Sequence, residues 1–140
     1  MELSAALNLR ELQRYLGRVG DRWPLQMVLL AGARVADVRA DATHREARFA
    51  QTALREERGP EFVVVLVSEG FAGMPWLERL HQAGALWDAL EMGDGADIHC
   101  FTPAEYLRRR ETTPAVRAAA ERGVLLYADT EPFTAAAPGL

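Results

Sequence analysis

Between positions 62 and 67 the chain reads Phe-Val-Val-Val-Leu-Val, five β-branched or aromatic residues out of six. Such a run predicts a β-strand. It is apolar at both odd and even positions, so both faces should be covered, which makes it a central strand. Pro24 precedes a second apolar run, Leu25–Ala31, which Gly32 ends. This run also reads as a buried strand. Ahead of it, Leu7, Leu12, Leu16 and Val19 recur near helical spacing with Arg and Glu between them, predicting a helix over 4–19.

Past the central strand, Gly70–Gly73 reads as a turn and Pro75 suits the first position of a helix. That helix should carry Trp76, Leu77, Leu80, Trp87 and Leu90 on one face, and Gly93–Gly95 should end it. Asp97–Phe101 is a short strand. Thr102-Pro103-Ala104-Glu105 then has the form of a capping box with proline at the first helical position. Thr113-Pro114 opens a further helix, Gly123 closes it, and Val124–Tyr127 is a last strand. Upstream, Thr43 and Glu46 could cap a helix running to about Arg58, broken by Gly59-Pro60. Val35 and Val38 leave Ala33–Asp41 open, as a loop or as a strand paired with the first. Strands alternating with helices imply an α/β arrangement (α+β type), a small mixed sheet of about four strands with helices packed on it. One domain over 1–129 and a fraying alanine- and proline-rich tail over 130–140 are expected.

Composition changes this picture little. The chain has 140 residues, 49% hydrophobic and 26% charged, as suits one soluble globular domain. The single cysteine, Cys100, excludes an internal disulfide and a multi-cysteine zinc site. All sixteen basic residues are arginine, so lysine Schiff bases and a P-loop lysine are excluded. No apolar run approaches the roughly 18–20 residues of a membrane span, and the N-terminus has no signal pattern, so a cytoplasmic location is expected. The formal charge of −4 argues against broad nucleic-acid binding through the phosphate backbone. Residues 1–58 carry ten Arg against eight acidic residues and residues 59–140 carry six against twelve, a modest asymmetry along the chain.

The reactive side chains are scattered. His99 and Cys100 are adjacent, so on a strand they point to opposite faces and cannot work as a nucleophile–base pair. Cys100 is expected in the core. His44, His81 and His99 lack metal-ligand spacing. Ser68 sits at a strand end without a nucleophile-elbow sequence. Arg108-Arg109-Arg110 falls at a helix end, where cations complement the dipole.

Several segments together resemble small bacterial nucleotidyltransferase-domain proteins of the polymerase-β type. "EFVVVLVS", ending at Ser68, runs into "EGFAGMPWLERL". "ADIHCFTPAEY" looks like the family's third strand and its "D-hydrophobic-x-x-[YF]-T-P-E-E" continuation, and "AAAERGVLLY" looks like its "A-x-x-x-G-x-x-L-Y" ending. Upstream, "VLLAGARVAD" at Val28–Asp37 looks like a decayed "V-L-F-G-S-R-A-R-G". The resemblance implies the nucleotidyltransferase fold. It also implies a site where Mg²⁺ ions held by converging carboxylates grip a triphosphate.

Carried over by position, the family's Gly-Ser falls on Gly32-Ala33, with Arg34 following, so the nucleotide-binding turn is expected at Gly32, Ala33 and Arg34. The first carboxylate of the D-x-D motif falls on Glu61, the second on Val63 and the third on Asp97. The expected catalytic and metal-binding residues are therefore Glu61 and Asp97, with any Mg²⁺ held weakly. Asp37 or Asp41 could compensate. The resemblance implies a catalytically impaired nucleotidyltransferase-fold protein that binds a nucleotide or a protein. The alternative is an active Mg²⁺-dependent enzyme that transfers a nucleotidyl group to a small-molecule or protein acceptor. Family members often work beside a helical partner in toxin–antitoxin-like pairs, so such a partner or a homodimer is expected.

Overall fold

A computed structural model of the chain describes residues 7–35 and 60–128. Helix α1 (Leu9–Arg22) leads into β1 (Leu25–Ala31). Strand β2 (Phe62–Ser68) is followed by a 3-10 turn (Glu69–Phe71), α2 (Trp76–Ala85), α3 (Ala89–Met92) and β3 (Ala96–Phe101). Helices α4 (Pro103–Thr112) and α5 (Pro114–Arg122) and strand β4 (Val124–Ala128) complete the described residues. The helix expected over Thr43–Arg58, with Asp37, Asp41, His44 and the 130–140 tail, lies outside them.

The four strands form one mixed sheet in the order β3-β2-β1-β4. Strand β2 runs parallel to β3 and antiparallel to β1, and β1 runs antiparallel to β4. The mixed α/β sheet and the interior place of β2 are those the hydrophobic pattern predicts. All seven residues of β2 are buried. Successive side chains on a strand point to opposite faces, and each face has its own cover. Phe62, Val64 and Leu66 join Val28, Leu30, Ile98 and Cys100 beneath α1, whose Leu12, Tyr15 and Val19 are buried there. Val65 and Val67 join Met27, Leu29 and Phe101 beneath α4 and α5, represented by Tyr106, Val116, Ala119 and Ala120. His99 and Cys100 accordingly face opposite ways, and Cys100 is fully buried.

The segment after Pro75 departs from the predicted single amphipathic helix. Helix α2 stops at Ala85, and the side chain of Asp88 accepts a hydrogen bond from the Glu91 N–H to cap the separate short α3. With the helix broken, the expected stripe does not face the core. Leu77 and Leu90 are 77% and 95% exposed. Trp87 instead turns onto Tyr15 and Phe62, with ring centroids 5.1 and 5.4 Å away, and its indole N–H donates to the Asp94 carbonyl at 2.9 Å. Pro75 serves as the N-cap of α2 rather than its first helical residue.

The buried residues of α2 are Ala83 and, against any hydrophobic rule, Arg79. A guanidinium out of water needs partners for its donors. Arg79 finds them at the Met74 carbonyl (3.0 Å), the Cys100 carbonyl (3.2 Å) and both oxygens of Glu105 (2.6 and 3.3 Å). Glu105 is also the third helical residue of the predicted capping box. Its Oε1 accepts from the Thr102 N–H at 2.9 Å while Thr102 Oγ1 accepts from the Glu105 N–H. One carboxylate thus starts α4 and ties it to α2 across the end of β3. Among the described residues no helix is long and apolar enough to cross a membrane.

Two outcomes follow from this packing. The Arg79 hydrogen bonds hold the Glu105 carboxyl below its ordinary 4.5. A depressed folded-state pKa gives stability that is full above the unfolded value and lost as pH falls through the folded one. Urea denaturation should therefore show wild-type stability falling below about pH 4.5 more steeply than that of Glu105→Gln, whose neutral amide should also lower stability at pH 7. Burial pushes the Cys100 thiol up to about 12. At pH 8 Cys100 should resist a thiol-reactive disulfide reagent in the native protein and react fully once urea unfolds it.

Candidate functional site

Strand β1 runs into a turn that only glycine permits. Gly32 takes a φ of +110°, and a Cβ there would lie 2.5 Å from the Glu61 carbonyl oxygen and 2.8 Å from the Phe62 Cα. The chain crosses over the start of β2 at van der Waals distance and then turns into helical geometry at residues 33–35. Backbone bonds lock the crossing. The Ala33 N–H donates to the Pro60 carbonyl and the Arg34 N–H to the Glu61 carbonyl, both at 3.0 Å. These are two of the donors that a phosphate-binding turn would aim at its ligand.

A cavity of about 390 Å³ opens beside the turn, on the α5 side of the sheet. Ala31, Gly32, Ala33 and Val35 form its wall along β1 and the turn. Pro60 contributes from just ahead of β2, Val63 and Asp97 from β2 and β3, and Ala115, Ala118, Ala119 and Arg122 from α5. Sheet register brings the central members together. Val63 pairs with Ala31 on one side and with Asp97 on the other, so all three lie in one row across the sheet. The carboxylate of Asp97 is half exposed and lies 3.1 Å from His99 Nε2, its neighbour two residues along the same face of β3.

The predicted site residues divide into two groups. Gly32, Ala33 and Asp97 line the cavity, with Val63 between them. Glu61 and Arg34 are not among its lining residues and bond to one another, Arg34 Nε to Glu61 Oε1 at 3.1 Å. The Arg34 guanidinium lies 5.1 Å from the centroid of the Phe62 ring, a residue of the α1-side core. Of the two expected carboxylates, Asp97 lines the cavity and Glu61 forms an ion pair with Arg34.

The described residues do not supply the donor set of a carboxylate-rich Mg²⁺ centre. Among the described residues the cavity is lined by one carboxylate, that of Asp97, a valine occupies the position across the ladder from it, and the Arg34 guanidinium engages Glu61, just ahead of β2. Hard cations need several converging oxygens. Among the described residues no group of three or more His, Cys, Asp or Glu side chains could hold a metal ion.

Arg122 and the alanines of α5 are absent from the sequence-based set. Their spacing carries a signal: Ala115, Ala118, Ala119 and Arg122 recur at three- and four-residue steps and so share a helix face. What the spacing lacks is the partner, since nothing in it says which face of the sheet α5 covers.

No family model, curated protein or solved structure matches this chain. The geometry at Gly32 makes its own prediction. Gly32→Ala forces both a clash with β2 and a disfavoured backbone, and should lower stability by at least about 2 kcal/mol. Chemical denaturation should register that loss, whereas Gly73→Ala, also at a positive φ (+79°) but in open space, should register a smaller one.

Proposed function

We propose that this protein is a nucleotidyltransferase-type domain whose catalytic centre is depleted, and that it acts by binding rather than by nucleotidyl transfer. The observation that supports the reading is convergence. Gly32, Ala33, Val63 and Asp97 are the positions onto which the family's turn and two of its carboxylates carry over, and all four line one cavity. Sheet register gathers these positions at one end of β1, β2 and β3, as the resemblance requires. The mixed sheet with β2 parallel to β3 and antiparallel to β1 is compatible with the same fold.

Depletion follows from the side chains. Val63 can hold no cation, Ala33 offers no hydroxyl, and the turn's backbone donors go to Pro60 and Glu61. A triphosphate with Mg²⁺ brings charge that needs both metal and donors, and among the described residues most of that complement is missing. A helical partner or a second copy of the chain belongs to this reading through the family resemblance alone.

Calorimetric titration with ATP, with and without Mg²⁺ or Mn²⁺, tests the proposal. The expected result is no metal-dependent binding, in wild type and Asp97→Ala alike. Tight metal-dependent binding that Asp97→Ala abolishes would instead establish the active enzyme.

A further inference from the structure

Trp76, the first residue of α2, leaves 39% of its surface in water, and Leu77 beside it is exposed. The Trp76 ring is nevertheless held in place. The Phe101 ring centroid lies 5.6 Å away, the Arg79 guanidinium 5.5 Å and the Arg109 guanidinium 5.6 Å. A guanidinium within about 6 Å of an aromatic centroid is attracted by the ring's electrons. Arg79 is engaged by Glu105 and two backbone carbonyls. Arg109 is exposed, and among the described residues it has no carboxylate within ion-pair distance; the same holds for Arg108. Arg110 differs, turning back over the Tyr106 ring and toward Glu111. Three of the six arginines of residues 59–140 thus stand together at 108–110, in the half of the chain with twelve acidic residues.

The helix dipole accounts for cations in the last turn of α4, where Arg109 lies. It does not account for a tryptophan held half in water against one of them. Tryptophan and arginine are the residues that most often anchor protein–protein interfaces, and a ring already fixed by three neighbours loses little freedom on binding. We infer that Trp76, Leu77, Arg108 and Arg109 form a docking surface for an acidic segment of a partner protein. An apolar side chain of that segment lies on Trp76 and Leu77, and its carboxylates meet the two guanidiniums, each of which offers a carboxylate two parallel N–H donors. Charge selects this occupant. A basic segment would meet like charge here, and a long polyanion such as RNA would meet the net charge of −4 on the rest of the chain. None of the four side chains lines the cavity beside Gly32, so the surface is additional to the proposed function and stands without it.

Calorimetric titration of the intact chain with a capped nonapeptide of Asp and Glu around a central Phe tests it. The peptide should bind saturably, more weakly as salt screens the exposed charges, and a counterpart with Lys at every acidic position should not bind. Trp76→Ala and Arg109→Glu should each weaken binding about tenfold or more, the loss expected for an interface anchor. Because Trp76→Ala also removes packing on Phe101, Leu77→Asp repeats the test at a side chain that is mostly in water. Reversing both charges, Arg108→Glu with Arg109→Glu, should transfer the preference to the Lys peptide, which a loss of folding could not do. Circular dichroism checks that each variant folds. Failure of the acidic peptide to bind, binding indifferent to these substitutions, or tighter binding of an oligouridylate than of the peptide overturns the inference. So does a dimer in sedimentation that Trp76→Ala dissolves, which would assign the surface to a second copy of the chain. The ATP titration reads the cavity, and its outcome leaves this one unchanged.

Discussion

Strand β2 is hydrogen-bonded along both edges and covered on both faces, and the rest of the molecule is arranged to keep it so. A strand in that position has no water to satisfy its backbone, so each N–H and C=O must find a protein partner. Strand β1 supplies one edge from Leu25 to Ala31, and β3 the other from Ala96 to Phe101. The same strand needs apolar cover twice, which is why α1 lies on one side and α4 with α5 on the other. Each fully buried valine or leucine there is worth about 1.5–3 kcal/mol. Phe62–Val67 is consequently the segment whose sequence is least free to vary.

That constraint bears on the cavity. Val63 is 7% exposed and sits between Ala31 and Asp97 on the row that floors it. A carboxylate at this position would need cations or donors to offset its desolvation, and two facing acids would raise each other's pKa. A valine needs nothing and extends the apolar cover of the sheet. In the proposed reading, loss of the metal-binding acid and gain of core stability are therefore a single event, and the Glu61–Arg34 pair disposes of the other acid nearby.

Much of this was legible in the sequence, and the reasons separate the parts that were from those that were not. Two-residue and near-four-residue periodicities report which side of an element meets apolar material, so β1, β2, β3, β4 and both helices after Thr102 stand where the pattern puts them. Caps are local, so Thr102 and Glu105 could be matched from three residues of spacing. The break at Leu86–Trp87 was hidden because the apolar residues on either side kept helical phase, while the decisive group, the Asp88 carboxylate, acts by a hydrogen bond rather than by hydrophobicity. Arg79 was missed for a related reason. Its partner Glu105 lies 26 positions away, and periodicity carries no information about long-range pairing. The candidate site was legible at Gly32, Ala33 and Asp97 but not at Arg122, because α5 joins the cavity through tertiary packing alone.

The order of the strands also bears on how the protein is made. Strand β1 borders β4 directly, yet Leu30 and its partner Val124 are far apart in the sequence. Among the described residues only β4 covers that edge of β1, and an uncovered apolar edge is the kind of surface that templates aggregation. Pairing at such sequence separation is slow because the loop must close before the contact can reward it. Among the described residues, a sheet without β4 would be three strands wide and open at β1.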